Sequence, residues 1–143
     1  MKRKRVVIIG AGGAGLTAAI EASLAGADVF VVTKTSAGLG SCTAYSAGIF
    51  TLPVCGITSE EHFRRTMDVG KGVNDPLLVN ILSEKSEESL RRLSDLGVAV
   101  RFTKGTGSTR DTAPNDLMGG GGFAAQLVEI ALRNGVRFIE WTV

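Results

Sequence analysis

Residues 5–35, RVVIIGAGGAGLTAAIEASLAGADVFVVTKT, place an apolar run, a glycine-rich turn, a helical segment and a second apolar run in direct succession. Gly10, Gly12 and Gly15 have the G-x-G-x-x-G spacing of a dinucleotide-binding turn. This spacing is more informative here than alone, because the strand, the turn, the helix and the second strand occur together. The stretch therefore predicts a β-α-β unit of an α/β fold that binds a dinucleotide.

Each part of this turn has its own expected role. Val6–Ile9 is a continuous apolar run, as expected of a parallel strand that is buried on both faces, and Gly10 lets the chain turn sharply into the helix. Gly12 has no Cβ to block a pyrophosphate, and Gly15 lets the helix pack closely on the strand. The amides and the positive dipole end of the helix would then hold the anion.

Length, charge and cysteine content narrow the function classes. A chain of 143 residues can bury about two-thirds of its unfolded surface, which predicts one domain or part of one. The net charge is only +2 and the basic residues are scattered except at 2–5, so no nucleic-acid partner is expected. No apolar run reaches about 18 residues, so no membrane span is expected. Cys42 and Cys55 form neither a metal-binding pattern nor a disulfide framework, which favours a reduced, cytosolic setting.

The rest of the chain predicts helices and strands that continue the α/β pattern. Residues 36–57 are expected to form an ordered loop with one short helical turn, and Gly119–Gly122 a flexible lead-in to a helix or a second phosphate cradle. Periodicity and capping signals predict helices over about 13–24, 58–69, 76–96 with a break near Ser83 and Ser86, and 123–133, and strands over 6–9, 28–33 and 136–143.

The end of the second strand bears on which dinucleotide is bound. An NAD site normally has Asp or Glu there to hold the ribose hydroxyls, whereas this chain has Thr33-Lys34-Thr35. A threonine hydroxyl can bond a ribose, more weakly than a carboxylate does. The missing acid weakens the simple NAD-dehydrogenase interpretation, while the glycine pattern alone leaves FAD and NAD about even.

Several segments together resemble a known family. They are 6–15 with 31–34, the stretch Ser41-Cys-Thr-Ala-Tyr-Ser-Ala-Gly48, the stretch 62–76 running into 96–98, and Phe138-Ile-Glu-Trp141. In these segments the chain resembles the succinate dehydrogenase and fumarate reductase flavoprotein family, which also includes L-aspartate oxidase. The resemblance implies a Rossmann-like α/β FAD-binding domain with a parallel sheet and a helical insertion. Residues 1–143 would be its incomplete N-terminal part, without the capping and C-terminal segments.

The same resemblance implies which residues contact FAD. The glycine turn would meet the pyrophosphate, the end of the second strand the adenosine ribose, and the last two residues the adenine. The segment 41–48 would run past the pyrophosphate to the isoalloxazine ring. The implied cofactor-binding residues are Gly10, Gly12, Gly13, Ala14, Gly15, Thr33, Lys34, Thr35, Ser41, Cys42, Thr43, Ala47, Gly48, Thr142 and Val143.

Two departures from the family pattern affect the flavin. Cys42 stands where the respiratory enzymes have, in a Ser-His-Thr triplet, the histidine that bonds covalently to the flavin. The resemblance therefore implies FAD held non-covalently. Ala47-Gly48-Ile49 replaces the family's Gln-Gly-Gly, so Ala47 would contact the ring through its backbone only.

The implied activity is hydride transfer between flavin N5 and a dicarboxylate, with an iron-sulfur subunit as a candidate partner. The expected location is cytoplasmic, at the inner face of the membrane if partner subunits hold it there. The groups that bind the dicarboxylate would lie beyond Val143, so this chain alone is expected to be inactive. An L-aspartate oxidase fragment and a stand-alone nucleotide-binding module without catalysis are the alternatives.

Further expectations concern packing and association. His62, Cys42 and Trp141 are expected to be packing residues; for His62 a place on the helix surface is the other expectation. The last strand and the apolar helices at 76–96 would leave an unprotected edge and exposed apolar surface. The isolated chain is therefore expected to self-associate.

Overall fold

The computed structural model of this chain describes residues 3–109 and 119–142, which form two compact units. The first unit comprises Met1–Gly48 and Thr109–Val143, and the second comprises Ile49–Ser108. The elements are β1 (Arg5–Ile9), α1 (Gly13–Leu24), β2 (Asp28–Val32), α2 (Cys42–Tyr45), β3 (Ile49–Thr51), α3 (Ser59–Gly70), α4 (Pro76–Asp95), β4 (Arg101–Thr103), β5 (Thr106–Ser108), α5 (Gly119–Arg133) and β6 (Arg137–Ile139).

A three-stranded parallel sheet organises the first unit. Its strand order is β1-β2-β6, with Arg5 opposite Asp28 in the first pair and Phe30 opposite Arg137 in the second. The short crossover through α1 joins neighbouring parallel strands, as the sequence predicted. Because all three strands run the same way, their carboxyl ends meet at one edge of the sheet.

The core of the first unit lies on the side of the sheet that α1 covers. Leu16 and Ile20 of α1, Val31 of β2 and Leu127 of α5 are fully buried. On β1, by contrast, Val7 is 58% and Ile9 89% exposed. The prediction that Val6–Ile9 is buried on both faces is therefore wrong among the described residues, while the expected exposed sheet face is present.

A cluster of charged side chains lies at the opposite end of this sheet, where its three strands begin. Asp28 accepts hydrogen bonds from Arg137 and from Arg5, whose Nε lies 3.4 Å from the carboxylate. Both guanidinium groups also lie over the Phe30 ring, with the Arg137 carbon 3.9 Å from its centroid. Burial raises the pKa of Asp28, but the two guanidinium groups outweigh it and hold that pKa below its usual range.

Gly119–Gly122 form the first turn of α5, the last helix, and are not a flexible lead-in to it. A Cβ on Gly120 would lie 1.8 Å from the carbonyl oxygen of Thr43, and a Cβ on Gly48 would lie 2.6 Å from the carbonyl carbon of Gly119. The backbones of α2 and α5 therefore approach so closely that only glycine fits. The helix begins at Gly119, and the prediction of a start at Phe123 is wrong.

The end of the chain departs from the predicted strand. β6 covers only three residues, whereas 136–143 was predicted. Trp141 has a positive φ of 58° and is 70% exposed, so the expectation of a core residue is wrong. This left-handed residue interrupts the strand conformation, although the Thr142 amide still bonds the Thr33 carbonyl at 3.1 Å.

The second unit contains an antiparallel sheet that the sequence did not predict. Its strand order is β3-β5-β4, and each strand has only three residues. β3 lies within the segment 36–57 that was predicted to be a loop with one helical turn, a turn that α2 confirms. Strands this short show too little alternation to be recognised. The core beside them contains Leu52, Val54 and Leu90.

The long helix of the second unit is continuous. α4 runs unbroken over 20 residues, so the predicted break near Ser83 and Ser86 is wrong. Ser83 is buried and bonds Nδ1 of His62 at 2.8 Å, which gives this mid-helix hydroxyl a partner on α3. His62 itself is 3% exposed, which confirms its packing role. No helix in 3–109 or 119–142 is long and apolar enough to cross a membrane.

Candidate nucleotide-binding site

The glycine turn joins β1 to α1 at the carboxyl edge of the parallel sheet. Gly10 has a φ of +100°, which favours glycine, and its amide bonds the Val32 carbonyl at 2.8 Å. The first backbone bond of α1 runs from Leu16 N to Gly12 O at 2.9 Å. The helix itself therefore offers no acceptor to the amides of 13–15, which are the groups that bind anions at helix N-termini.

Gly12 and Gly15 differ in what a side chain would meet. A Cβ on Gly15 would lie 2.0 Å from the carbonyl oxygen of Gly10, so the predicted close packing of helix on strand is confirmed. A Cβ on Gly12 would meet Ser41 Cβ at 3.4 Å and Thr43 Oγ1 at 3.7 Å, and both are ordinary contacts. Since Gly12 also has a negative φ of −84°, the fold itself does not require glycine there.

The α2 segment lies directly beside the turn. Ser41 caps α2 by accepting a hydrogen bond from Ala44 N at 3.3 Å, and Thr43 Oγ1 accepts one from Gly13 N at 2.9 Å. Residues 30 positions apart in the sequence are thus joined at the start of α1. Cys42 is exposed, so the expectation that it packs in the interior is wrong.

Backbone and side-chain bonds also fix the loop that follows β2. Thr33 is buried, and its amide donates to the Ile139 carbonyl at 3.0 Å. Ala37 N donates to Glu140 Oε1 at 2.7 Å. Sequence reasoning missed this role of Glu140, because the two residues are 103 positions apart and no local pattern links them.

A cavity of about 510 Å³ lies where these pieces meet. Its lining includes residues that sequence reasoning did not select, among them Ile9, Leu39 and Gly40. The predicted site residues that it brings together are Gly10, Gly12, Thr33, Lys34, Thr35, Ser41 and Thr142.

The other predicted site residues lie behind or beyond this lining. Gly13–Gly15 form the first turn of α1, and Cys42 and Thr43 belong to α2. Ala47 follows α2 and is exposed, while Gly48 is buried against the start of α5. Val143 lies outside the described residues.

Sequence comparison matches residues 5–141 to a family described as FAD binding domain. The chain belongs to this FAD-binding family. A similar protein is the fumarate reductase (cytochrome) of Shewanella frigidimarina, 30% identical over 139 residues that cover 92% of this chain and 24% of that protein. The membership indicates FAD as the cofactor and confirms the predicted resemblance to flavoproteins of the fumarate reductase type.

Solved structures show the same architecture. An open conformation of a flavocytochrome c3 fumarate reductase is 25% identical, with a TM-score of 0.77 over 97% of this chain and 27% of that one. A 3-ketosteroid-delta4-(5alpha)-dehydrogenase from Rhodococcus jostii RHA1 is 27% identical, with a TM-score of 0.75 over 96% of this chain and 38% of that one. These likenesses confirm the Rossmann-like α/β fold of a partial FAD-binding domain.

The match covers only about a quarter of each of two relatives. The chain spans 24% of the length of the Shewanella relative and 27% of the flavocytochrome c3 chain. A fumarate reductase and a ketosteroid dehydrogenase both contain this architecture, although their names refer to different substrates. The shared region therefore indicates the cofactor and does not by itself indicate the substrate.

Proposed function

We propose that this chain is the FAD-binding portion of a flavoprotein oxidoreductase similar to fumarate reductase and succinate dehydrogenase. The observation that supports it best is the start of α1, whose amides at 13–15 have no acceptor within the helix and directly follow Gly10 and Gly12 of the 510 Å³ cavity lining. Amides without a helical acceptor and a positive dipole end suit a pyrophosphate. The residues present thus fit the cofactor that the family binds.

The family resemblance implies how the cofactor would be distributed over the first unit, and seven of the residues concerned line the cavity. The pyrophosphate would bind at Gly10, Gly12, Gly13, Ala14 and Gly15. The adenosine ribose would bind at Thr33, Lys34 and Thr35, with Thr142 and Val143 beside the adenine. Ser41, Cys42, Thr43, Ala47 and Gly48 would lead to the isoalloxazine ring. Because none of the three residues that follow β2 is an acid, the ribose is left to hydroxyl and backbone groups.

We propose that FAD is held without a covalent bond. Cys42 occupies the position of the flavin-linked histidine in the respiratory enzymes that the sequence resembles. The chain's only histidine, His62, lies in the second unit, where its ring bonds Ser83 and faces Thr51 Oγ1 at 3.4 Å. Its engagement there supports FAD without a histidyl link.

In the whole protein, bound FAD would supply hydride transfer at flavin N5 to or from a carbon of a dicarboxylate. The role of this chain would be to bind the nucleotide and orient the flavin ring. We therefore propose that residues 1–143 alone are inactive. An iron-sulfur subunit is the proposed partner, and the proposed location is cytoplasmic, at the inner face of the membrane through partner subunits. Among the described residues β6 lies at the edge of its sheet, and Leu77 and Leu78 of α4 are exposed; both features support the proposal that the isolated chain self-associates.

Titration of the chain with FAD, ADP and NADH tests the cofactor assignment. Saturable FAD binding that ADP displaces is expected, because both ligands carry the adenosine and pyrophosphate groups. The affinity is expected to be weak, since the chain forms only part of the FAD surface of its relatives. A folded chain that binds NADH more tightly than FAD would contradict the proposal.

The mode of attachment needs a separate measurement. Denaturing the complex and precipitating the protein should leave all flavin in the supernatant. Flavin that stays with the precipitated protein would show a covalent bond.

A further inference from the structure

The first turn of α1 is capped by a side chain from another element. The N-cap residue, Gly12, has no side chain to bond the free amides of the turn. Thr43, which belongs to α2, provides the cap instead: its Oγ1 accepts a hydrogen bond from Gly13 N at 2.9 Å. Its side chain also packs on the same residue, because a Cβ on Gly13 would lie 3.1 Å from Thr43 Oγ1 and 3.4 Å from Thr43 Cγ2.

Thr43 is itself held firmly by its surroundings. Its carbonyl oxygen accepts hydrogen bonds from Ser46 N at 3.2 Å and from Ser46 Oγ at 2.9 Å. On the other side, Gly120 packs against this carbonyl so closely that a Cβ would approach it to 1.8 Å. The hydroxyl that caps α1 is therefore fixed by α5 through α2.

We propose that Thr43 is a positioning residue for the pyrophosphate of the bound nucleotide. By engaging Gly13 N, it fixes the first turn of α1 so that the neighbouring amides of Ala14 and Gly15 face the anion in one arrangement. The bond also joins the start of α1 to the segment 41–48. This inference rests on the proposed FAD site and assigns Thr43 an indirect role there, since the cavity lining does not include it.

The Thr43 hydroxyl has two opposing effects on a bound phosphate. Thr43 occupies an amide that could otherwise bind a phosphate oxygen, so removing its hydroxyl could free Gly13 N for the ligand. If positioning dominates, loss of the hydroxyl weakens binding of phosphate-containing ligands. If competition dominates, the same change leaves that binding unchanged or strengthens it.

The test compares Thr43→Val and Thr43→Ser with a control on the same helix. Thr17 Oγ1 donates to Gly13 O at 2.8 Å, so Thr17→Val removes a threonine hydroxyl from the carbonyl side of the same residue. The ligands are ADP, which carries a pyrophosphate, and adenosine, which carries none. Thr43→Ala serves as a second variant if the valine does not fold.

Thr43→Val should weaken ADP binding about fivefold, which corresponds to the ~1 kcal/mol that a helix-capping hydrogen bond typically contributes. Adenosine binding should stay unchanged, Thr43→Ser should restore ADP affinity, and Thr17→Val should match the wild type. In the ¹H–¹⁵N spectrum, the Gly13 amide should move upfield in Thr43→Val and not in Thr43→Ser. A purely structural role of Thr43 would lower adenosine and ADP binding together.

The outcomes separate this inference from the proposed function. A folded wild-type chain that binds neither FAD nor ADP overturns the proposed function and this inference with it. If the wild type binds ADP and the folded Thr43→Val or Thr43→Ala variant binds it equally or more tightly, only this inference is overturned. Equal weakening by Thr17→Val also overturns it, because the effect would then not depend on the capped amide.

Discussion

Replacing Gly15 with alanine should destabilise the first unit, whereas the same change at Gly12 should not. A Cβ on Gly15 would lie 2.0 Å from the Gly10 carbonyl oxygen, about 1 Å inside the 3.0 Å that real Cβ atoms keep. The oxygen belongs to the backbone and a Cβ cannot rotate away from it, so relief requires that α1 move away from the glycine turn after β1. Overpacking of this kind costs about 1–3 kcal/mol.

The alanine also brings a gain that must be subtracted. Alanine is more favourable than glycine inside a helix by about 0.5–1 kcal/mol. With the upper part of the overpacking range, the net loss for Gly15→Ala is about 2 kcal/mol. Because urea m-values for small proteins are about 1–3 kcal/mol/M, the urea midpoint should fall by about 1 M.

Gly12→Ala is the matched control. Its Cβ would make ordinary contacts with Ser41 Cβ at 3.4 Å and Thr43 Oγ1 at 3.7 Å, and the φ of −84° suits any residue. The weaker helix cap costs about 0.5–1 kcal/mol and the reduced entropy of the unfolded chain returns about as much. The urea midpoint should therefore stay within experimental error, while FAD binding should weaken because the new methyl group enters the pyrophosphate space.

Urea unfolding followed by far-UV circular dichroism, together with FAD titration of each variant, decides between these roles. Equal loss of stability in the two variants would refute the separate assignments, as would a Gly15→Ala midpoint equal to that of the wild type.

Three further predictions concern other parts of the molecule. Asp28→Asn should lower the free energy of unfolding at neutral pH. Because the folded-state pKa of Asp28 is lowered, its contribution is complete above the unfolded pKa of about 3.9 and is lost as pH falls through the folded pKa. The difference from the wild type in pH-dependent unfolding should therefore vanish in acid, and one that persists there would contradict the charge argument. Glu140→Leu removes the acceptor for Ala37 N and should weaken FAD binding severalfold. Glu140→Gln, whose amide oxygen can still accept this hydrogen bond, should bind FAD about as well as the wild type, and equal effects of the two variants would contradict this role of Glu140. Light scattering should show the isolated chain self-associating, with Leu78→Lys on the exposed surface of α4 reducing it, whereas a wild-type monomer at high concentration would contradict the expectation.

The first half of the α/β unit was predictable because its signals are local. The apolar run at 6–9, the glycine spacing and the second apolar run determine strand, turn, helix and strand, and the predicted bounds of α1 are those observed. Capping residues were equally reliable. Thr58 accepts from Glu61 N at 3.1 Å, and Asp75 accepts from Leu77 N at 2.8 Å.

The failures arise where distant residues decide the structure. Ser83 suggested a helix break because a serine inside a helix competes with the backbone, yet its bond to His62 satisfies it within a continuous α4. Gly119–Gly122 suggested flexibility, because no local signal shows that α2 packs against them. Glu140 was missed for the same reason, since its partner Ala37 is brought near only by the pairing of β2 with β6.

Mapping FAD binding onto the backbone amides tests the central claim most directly. In ¹H–¹⁵N spectra of the chain titrated with FAD, saturable shifts should cluster at Gly10, Gly12, Thr33 and Ser41, which line the cavity, and at Ala14 in the first turn of α1. ADP should reproduce the shifts at Gly10, Gly12 and Thr33. Shifts confined to the second unit, 49–108, or no saturable shifts from a folded chain, would contradict the assignment of this turn as the FAD site.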